Sequence, residues 1–276
     1  MATVAELLAR AGELREVAAS HRLDTELLLC KVLERGRAFL YAHAETELTA
    51  AQSTAFAALF ERRKGGEPMA YILGEREFWT LQLKVSPATL IPRPETELLV
   101  ELALALVAEP AARVLDLGTG SGAIALTLAR ERPAWQVTGI DSSAAALAVA
   151  EANRAALQLD NVRFRYGDWL AGETDRYHLI VANPPYIDAA DPHLARGDVR
   201  FEPRAALVAA DAGMAALRAI SAGAPAHLCP GGWLLLEHGS SQGAAVRECC
   251  AAVLREVRTW RDLAGCERVT GGRLPA

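Results

Sequence analysis

Arg113-Val114-Leu115-Asp116-Leu117-Gly118-Thr119-Gly120-Ser121-Gly122 is the stretch that decides the fold. A short apolar run ends at an acid, breaks into alternating glycines and opens a helix. Such a turn brings a ligand against bare backbone at a helix N-terminus, where unpaired amides carry positive partial charge. Downstream the pattern repeats. Gln136–Ile140, Val162–Tyr166, His178–Ala182 and Trp233–Glu237 are predicted strands, with helices near 121–131, 143–157, 212–223 and 241–255. This alternation predicts an α/β fold with a mostly parallel, doubly wound sheet. Val257–Trp260 and Glu267–Thr270 are expected as closing strands, the last of them antiparallel.

Upstream the period is helical. Val4, Leu7, Leu8, Ala11 and Leu14 recur at helix spacing, and a second helix is expected from Asp24 with Leu27, Leu28, Val32 and Leu33 inward, ending at Arg35-Gly36-Arg37. Thr49 reads as the N-cap of a helix through Phe56, Leu59 and Phe60 to Gly65-Gly66, and Pro68 opens a shorter turn. Arg62-Arg63-Lys64 reads as a solvated helix C-terminus, where cations suit the macrodipole. Residues 1–74 are thus expected as a helical bundle, 75–90 as a linking hairpin (Glu75–Trp79 and Gln82–Val85 about Thr80-Leu81), and 91–276 as the α/β domain. Pro94 sits near the first turn of a helix carrying Leu98, Leu99, Leu102 and Leu106.

The 276 residues are 51% hydrophobic, enough to bury a large core. The longest apolar run, Leu102–Ala108, is far below the roughly 20 residues that span a bilayer. Glu6 and Glu13 stand where a signal peptide would be uncharged, so the chain is expected to be soluble and cytoplasmic. Five cysteines without a C-x-x-C pair or a histidine at ligand spacing point to reduced thiols and no metal site. A net charge of −5 is the wrong sign for gripping a long polyanion, so no direct nucleic-acid partner is expected.

Gly118, Gly120 and Ala123 also satisfy a dinucleotide fingerprint, with Asp141 lying 21 residues beyond Gly120 where a ribose-binding acid belongs. Asp141 equally suits a helix N-cap before Ser142-Ser143. The decisive element is Ile180-Val181-Ala182-Asn183-Pro184-Pro185-Tyr186. A buried strand ends at an amide, two prolines stiffen the chain beyond it, and Tyr186 offers a flat wall. Amide oxygen, rigid carbonyl and aromatic face together suit a planar substrate bearing an NH₂ group. A hydride-transfer enzyme would need a proton donor here, and no His or Lys occupies that position. Gly167-Asp168-Trp169, after the third strand, supplies an acceptor for an exocyclic amine and an aromatic that can wall a ring. His178, His193 and His238 are read as structural or surface residues.

The sequence strongly resembles the HemK/PrmC-type release factor glutamine methyltransferases over nearly its whole length. The resemblance lies in Gly66-Glu67-Pro68, Glu77-Phe78-Trp79, Ser86–Glu97, Asp116–Gly122, Asn183–Ile187, Arg200-Phe201-Glu202-Pro203 and Leu236-Glu237-His238-Gly239. Asn-Pro-Pro-Tyr alone is shared with DNA adenine methyltransferases; Ile91-Pro92-Arg93-Pro94-Glu95-Thr96-Glu97 and the helical N-terminus narrow the family. Gly271-Gly272-Arg273-Leu274-Pro275-Ala276 lacks the aromatic finish of relatives, which leaves the last strand open. The resemblance implies a class I S-adenosylmethionine-dependent methyltransferase, Rossmann-like with a seven-stranded, mostly parallel sheet, acting as a monomer on the Gly-Gly-Gln glutamine of peptide chain release factors. It implies a catalytic group of Asn183, Pro184, Pro185 and Tyr186. The implied cofactor set is Gly118, Thr119, Gly120, Ser121, Gly122, Asp141, Asp168, Trp169 and Asn183, and residues 1–74 are implied to hold the substrate. A ribosomal-protein glutamine methyltransferase and a nucleic-acid adenine methyltransferase are the alternatives. Arg93 and Glu95 fit either a substrate contact or a structural lock.

Overall fold

The computed structural model describes residues 2–276. The chain forms two units, one of residues up to Gly74 with His193–Phe201, the other of Glu75–Pro192 with Glu202–Ala276. The stretch 193–201 was expected within the α/β domain.

In the second unit, strands β1 (Glu75–Phe78) and β2 (Leu81–Lys84) form a hairpin. The main sheet takes β3 (Arg113–Leu117), β4 (Gln136–Asp141), β5 (Val162–Tyr166), β6 (Tyr177–Ala182), β7 (Leu228–Glu237), β8 (Arg255–Arg261) and β9 (Glu267–Arg273). Their order is β5-β4-β3-β6-β7-β9-β8, parallel from β5 to β7 and closed by antiparallel β9 and β8. Successive strand residues face opposite sides, so an all-apolar strand feeds two cores. Val114, Leu179, Val181 and Leu235 pack against Leu99, Val100 and Leu128. These last come from the helices Glu97–Leu106 and Ala123–Glu131. Leu115, Ile180, Leu234 and Leu236 pack on the opposite face against Leu217, Ile220 and Val246. Those belong to helices Ala215–His227 and Gly243–Ala251.

The hairpin departs from its expected part as a link. Phe78, Leu81 and Leu83 lie in the first of these cores. Its turn is Trp79-Thr80, one residue earlier than predicted, because Trp79 takes a left-handed φ of 56°. The Trp79 amide donates to Glu97 Oε1 and its ring N–H to Glu131 Oε1, each at 2.9 Å, so this residue is anchored to two helices. The final strand runs through the glycines. A Cβ on Gly271 would come 2.5 Å from Leu235 Cδ2, and one on Gly272 would come 2.9 Å from Val257 Cγ2. Glycine here allows close sheet and side-chain packing where an aromatic finish is missing.

In the first unit, helices Val4–Ala9, His21–Leu33, Arg37–Ala42, Ala50–Lys64 and Met69–Leu73 surround Val4, Leu28, Leu29, Leu40, Phe56 and Phe60. Thr49 caps its helix in a reciprocal box with Gln52, as its spacing implies. Two expectations are corrected. The Arg37–Ala42 helix starts within the expected stop, after Glu34 closes the preceding helix in the left-handed region at φ 53°. Arg63 is not solvated: its Nε lies 2.7 Å from Asp24 Oδ2, with 7% and 4% of the two side chains exposed. Ser20 Oγ donates to Asp24 Oδ1 at 2.8 Å, and Arg63 Nη1 donates to the Glu67 carbonyl at 2.9 Å. Helix periodicity cannot reveal a buried ion pair whose partners lie on different helices. Arg63 Nη1 also stands 3.6 Å from Asp198, and Arg200 hydrogen-bonds the Gly65 carbonyl, which is why 193–201 belongs to this unit.

Among the described residues no helix is long and apolar enough to cross a membrane, and no group of three or more His, Cys, Asp or Glu is placed to hold a metal ion.

Candidate active site

The strand order reverses between β3 and β6, and a cleft of about 200 Å³ opens at the carboxyl ends of these strands. Its walls include Gly118, Gly120, Asp141, Asp168, Trp169, Asn183 and Pro185. Thus seven of the residues singled out from sequence share one cavity.

The glycine turn explains itself locally. Gly118, Gly120 and Gly122 have φ of 73°, 56° and 83°, left-handed values that a side chain would strain. Gly118 and Thr119 both donate their amides to the Ile140 carbonyl, at 2.8 and 3.0 Å, bending the chain over β4. A Cβ on Gly118 would come 3.3 Å from Trp169 Cζ3, so the glycine lets the indole close against the turn. Thr119, Ser121 and Gly122, expected to touch the cofactor, do not line the cleft. They build it instead. Buried Thr119 donates its hydroxyl to Asp116 Oδ2 at 2.6 Å, the Ser121 carbonyl accepts from Asn153, and Gly122 faces Leu126 and Phe164. A seven-residue turn has two sides, and sequence does not say which one faces the ligand.

Asp141 serves the turn and the cleft together. Its Oδ2 accepts from the Gly120 amide and its Oδ1 from the Ser143 amide, both at 2.8 Å. The helix N-cap itself is Ser143, whose hydroxyl accepts from Ala146 N at 3.1 Å. A carboxylate oxygen holds more than one hydrogen bond, so Asp141 retains accepting capacity on the cleft side.

Asn183 ends β6, and its Nδ2 donates to Thr96 Oγ1 at 3.1 Å. Pro184 is buried and Pro185 lines the cleft, but Pro184 and Tyr186 are not in its wall. Tyr186 is half-buried; its hydroxyl lies 3.5 Å from Glu237 Oε1 and its carbonyl accepts from Gln242 Nε2 at 3.0 Å. Burial raises the Tyr186 pKa, and nearby Glu237 adds to the rise, so the phenol keeps its proton. His238 is buried and structural. Its Nδ1 meets the Gly239 carbonyl at 2.9 Å, its Nε2 meets Thr270 Oγ1 at 2.8 Å, and desolvation lowers its pKa. His178 Nδ1 accepts the Arg113 amide at 2.9 Å, again structural.

Residues missed as site-formers include Ile140, Ser142, Ser143 and Ala146 around Asp141, and two stretches in or just beyond blocks recognised only by resemblance. Ala88, Thr89 and Leu90 form one wall, and Pro203, Ala205 and Ala206 another. Arg93 binds the fully buried carboxylate of Glu202 and so ties the two blocks together, which assigns it a structural contact.

Two buried acids flank the cleft. Burial pushes Asp116 and Glu237 up to about 7 each. A carboxyl whose folded pKa is raised adds stability below its unfolded pKa and loses it as pH rises through the folded one. Between about pH 4.5 and 7 these two carboxyls hold more protons in the folded than in the unfolded chain, so their contribution to stability declines with pH. Glu237→Gln abolishes one of these titrations. Its stability relative to wild type is expected to be about 2 kcal/mol more favourable at pH 8 than at pH 5. Urea unfolding at both pH values checks this, and an equal difference at the two would show that Glu237 does not titrate in that range.

Comparisons with known proteins find relatives across most of the chain. The family described as "Methyltransferase small domain" matches residues 94–198, and "PrmC N-terminal domain" matches residues 6–74. The chain is 54% identical over 259 residues to a release factor glutamine methyltransferase of Xylella fastidiosa, covering 92% of this chain and 94% of that one. It is 51% identical over 262 residues to the release factor glutamine methyltransferase of Escherichia coli, covering 94% of each. A methyltransferase structure from Pyrococcus furiosus aligns with a TM-score of 0.55 at 18% identity, covering 72% of this chain and 91% of that one, a likeness of fold.

Proposed function

The chain belongs to the family of release factor glutamine methyltransferases, and on that premise we propose that the cleft beside β3 and β6 is where the methyl group is transferred. The enzyme is an S-adenosylmethionine-dependent protein-glutamine N-methyltransferase whose substrates are release factors. The observation that carries the site assignment is that Asn183 and Pro185 line the same cleft as Asp141 and Gly118. An acceptor for an amide and an acid suited to ribose hydroxyls thereby face one space.

The residues present suit the cofactor. Asp141 would hold the ribose hydroxyls, Gly118 and Gly120 admit a ligand close to the backbone, and Asp168 with Trp169 would take the adenine amine and ring. When bound, S-adenosylmethionine supplies an electrophilic methyl on a sulfonium. An amide nitrogen is a poor nucleophile because its lone pair is delocalised, and no His or Lys stands among the residues that line the cleft. Catalysis therefore rests on positioning. Asn183 Oδ1, in the cleft wall, accepts one glutamine N–H bond; the Pro184 carbonyl is assigned the other and Tyr186 the amide plane, although both residues lie outside that wall. As positive charge develops on that nitrogen, the same two hydrogen bonds strengthen, which lowers the barrier.

The target is the glutamine of the Gly-Gly-Gln loop. Incubating release factors with enzyme and labelled cofactor should add one methyl to the tryptic peptide carrying that glutamine, read by mass spectrometry. A methyl found elsewhere, or on ribosomal protein alone, would sink this assignment. The first unit is assigned to holding the factor. A chain beginning at Glu75 should bind the cofactor yet methylate the intact factor poorly. Equal rates with the full chain would leave the helices some other role.

A further inference from the structure

A primary amide presents C=O and NH₂ ends of nearly equal shape, so an asparagine that must accept hydrogen bonds needs something to choose its orientation. The transfer site proposed above, on which this orientation depends, requires the Asn183 oxygen to face the substrate. Turned over, the side chain would oppose its own N–H groups to those of the incoming amide. Nothing in the sequence of Asn183–Tyr186 sets this choice.

The geometry points to Thr96 as the positioning residue that fixes the Asn183 amide with its oxygen toward the substrate. Asn183 Nδ2 donates to Thr96 Oγ1 at 3.1 Å, and Thr96 is only 4% exposed, so no bulk water competes for the bond. Thr96 closes the rigid turn Pro94–Thr96, with its amide bonded to the Arg93 carbonyl at 3.1 Å. The turn leads directly into the helix Glu97–Leu106, whose Leu99 and Val100 are fully buried, so the hydroxyl sits on a fixed base.

A hydroxyl can accept or donate, and alone it would tolerate either end of the amide. Ionised Glu237 narrows that freedom. The residue is 1% exposed, its Oε2 has no hydrogen-bond partner, and burial pushes its pKa up to about 7, with the Thr96 hydroxyl favouring the ionised form. Once Glu237 has lost its proton, the Thr96 hydroxyl donates toward the carboxylate and its oxygen is left to accept. The NH₂ end of Asn183 satisfies it, as the 3.1 Å contact shows. The block Ile91–Glu97, in which the sequence singled out Arg93 and Glu95 but not Thr96, thus supplies a determinant of the reaction through a residue that lies outside the cleft wall.

The test is a double-mutant cycle with Asn183→Ala, read by single-turnover methylation of a release factor. Thr96→Val keeps the shape and deletes the hydroxyl. It is expected to lower kcat about ten- to hundredfold while the cofactor Kd and the KM for the factor stay within about threefold. Thr96→Ser should recover kcat to within about threefold of wild type. In the Asn183→Ala background, Thr96→Val should change the residual rate by less than about twofold, because the group it orients is gone. Thr96→Ala is read the same way if the valine chain does not fold. Full activity of Thr96→Val, no recovery by serine, or an equal loss in both backgrounds would overturn the inference while leaving Asn183 in its role. Full turnover by Asn183→Ala alone would instead bring down the reading of the site itself.

Discussion

Asn183→Ala is expected to fold, to bind S-adenosylmethionine nearly as the parent does, and to lose about 10² to 10³ in kcat, or roughly 3 to 4 kcal/mol. Such a loss is typical of deleting one preorganised contact to developing charge. The side chain is only partly buried and stands beyond the fully buried strand segment Leu179–Ala182, so its truncation leaves that segment in place. Asn183→Asp is the more searching variant. It keeps the size and an acceptor, but sets a negative charge beside a sulfonium whose charge disappears in the transition state, and so stabilises the ground state. It also replaces the NH₂ that Thr96 accepts. A measurable but slowed rate is expected. An aspartate enzyme faster than wild type, with a new acidic limb in its pH profile, would show that a base was limiting, and the positioning mechanism would fall.

Asp141→Ala is expected to raise the Kd for S-adenosylmethionine between about tenfold and several hundredfold. Two charge-assisted hydrogen bonds are worth about 1.5 to 3 kcal/mol each, less what replacement water restores. The structure adds a second component. The same carboxylate accepts the Gly120 and Ser143 amides, so its removal also loosens the glycine turn. Asp141→Asn separates the two. It retains one acceptor oxygen and the side-chain size, and should fall between wild type and alanine. Calorimetric titration measures both, and an unchanged affinity for the alanine chain would remove Asp141 from the site.

The limits of the sequence lie at particular residues. Arg63 sits in a basic triplet at a helix end and reads as solvated, yet it is buried on Asp24, far away in the chain. Arg93 could have met substrate or structure, and its partner Glu202 lies beyond β6 in sequence. Thr119, Ser121 and Gly122 belong to the right motif but to its inner side.

What the sequence determined by itself was everything written in local periodicity and backbone chemistry. Short apolar runs alternating with helices dictate a parallel sheet with two covered faces. Three glycines after Asp116 dictate a left-handed turn at a helix start. Asn183 before two prolines dictates a stiff polar end to a strand. Each follows from steric and hydrogen-bonding rules acting within a few residues. Only the tertiary structure decided which side of the glycine turn opens on the cleft, that Asp141 serves the turn as well as the cleft, and that Thr96 meets Asn183 across 87 positions of chain. Such pairings arise because burial leaves a polar group no water to bond, so it must find a partner wherever packing brings one. Local sequence carries no record of which partner that will be.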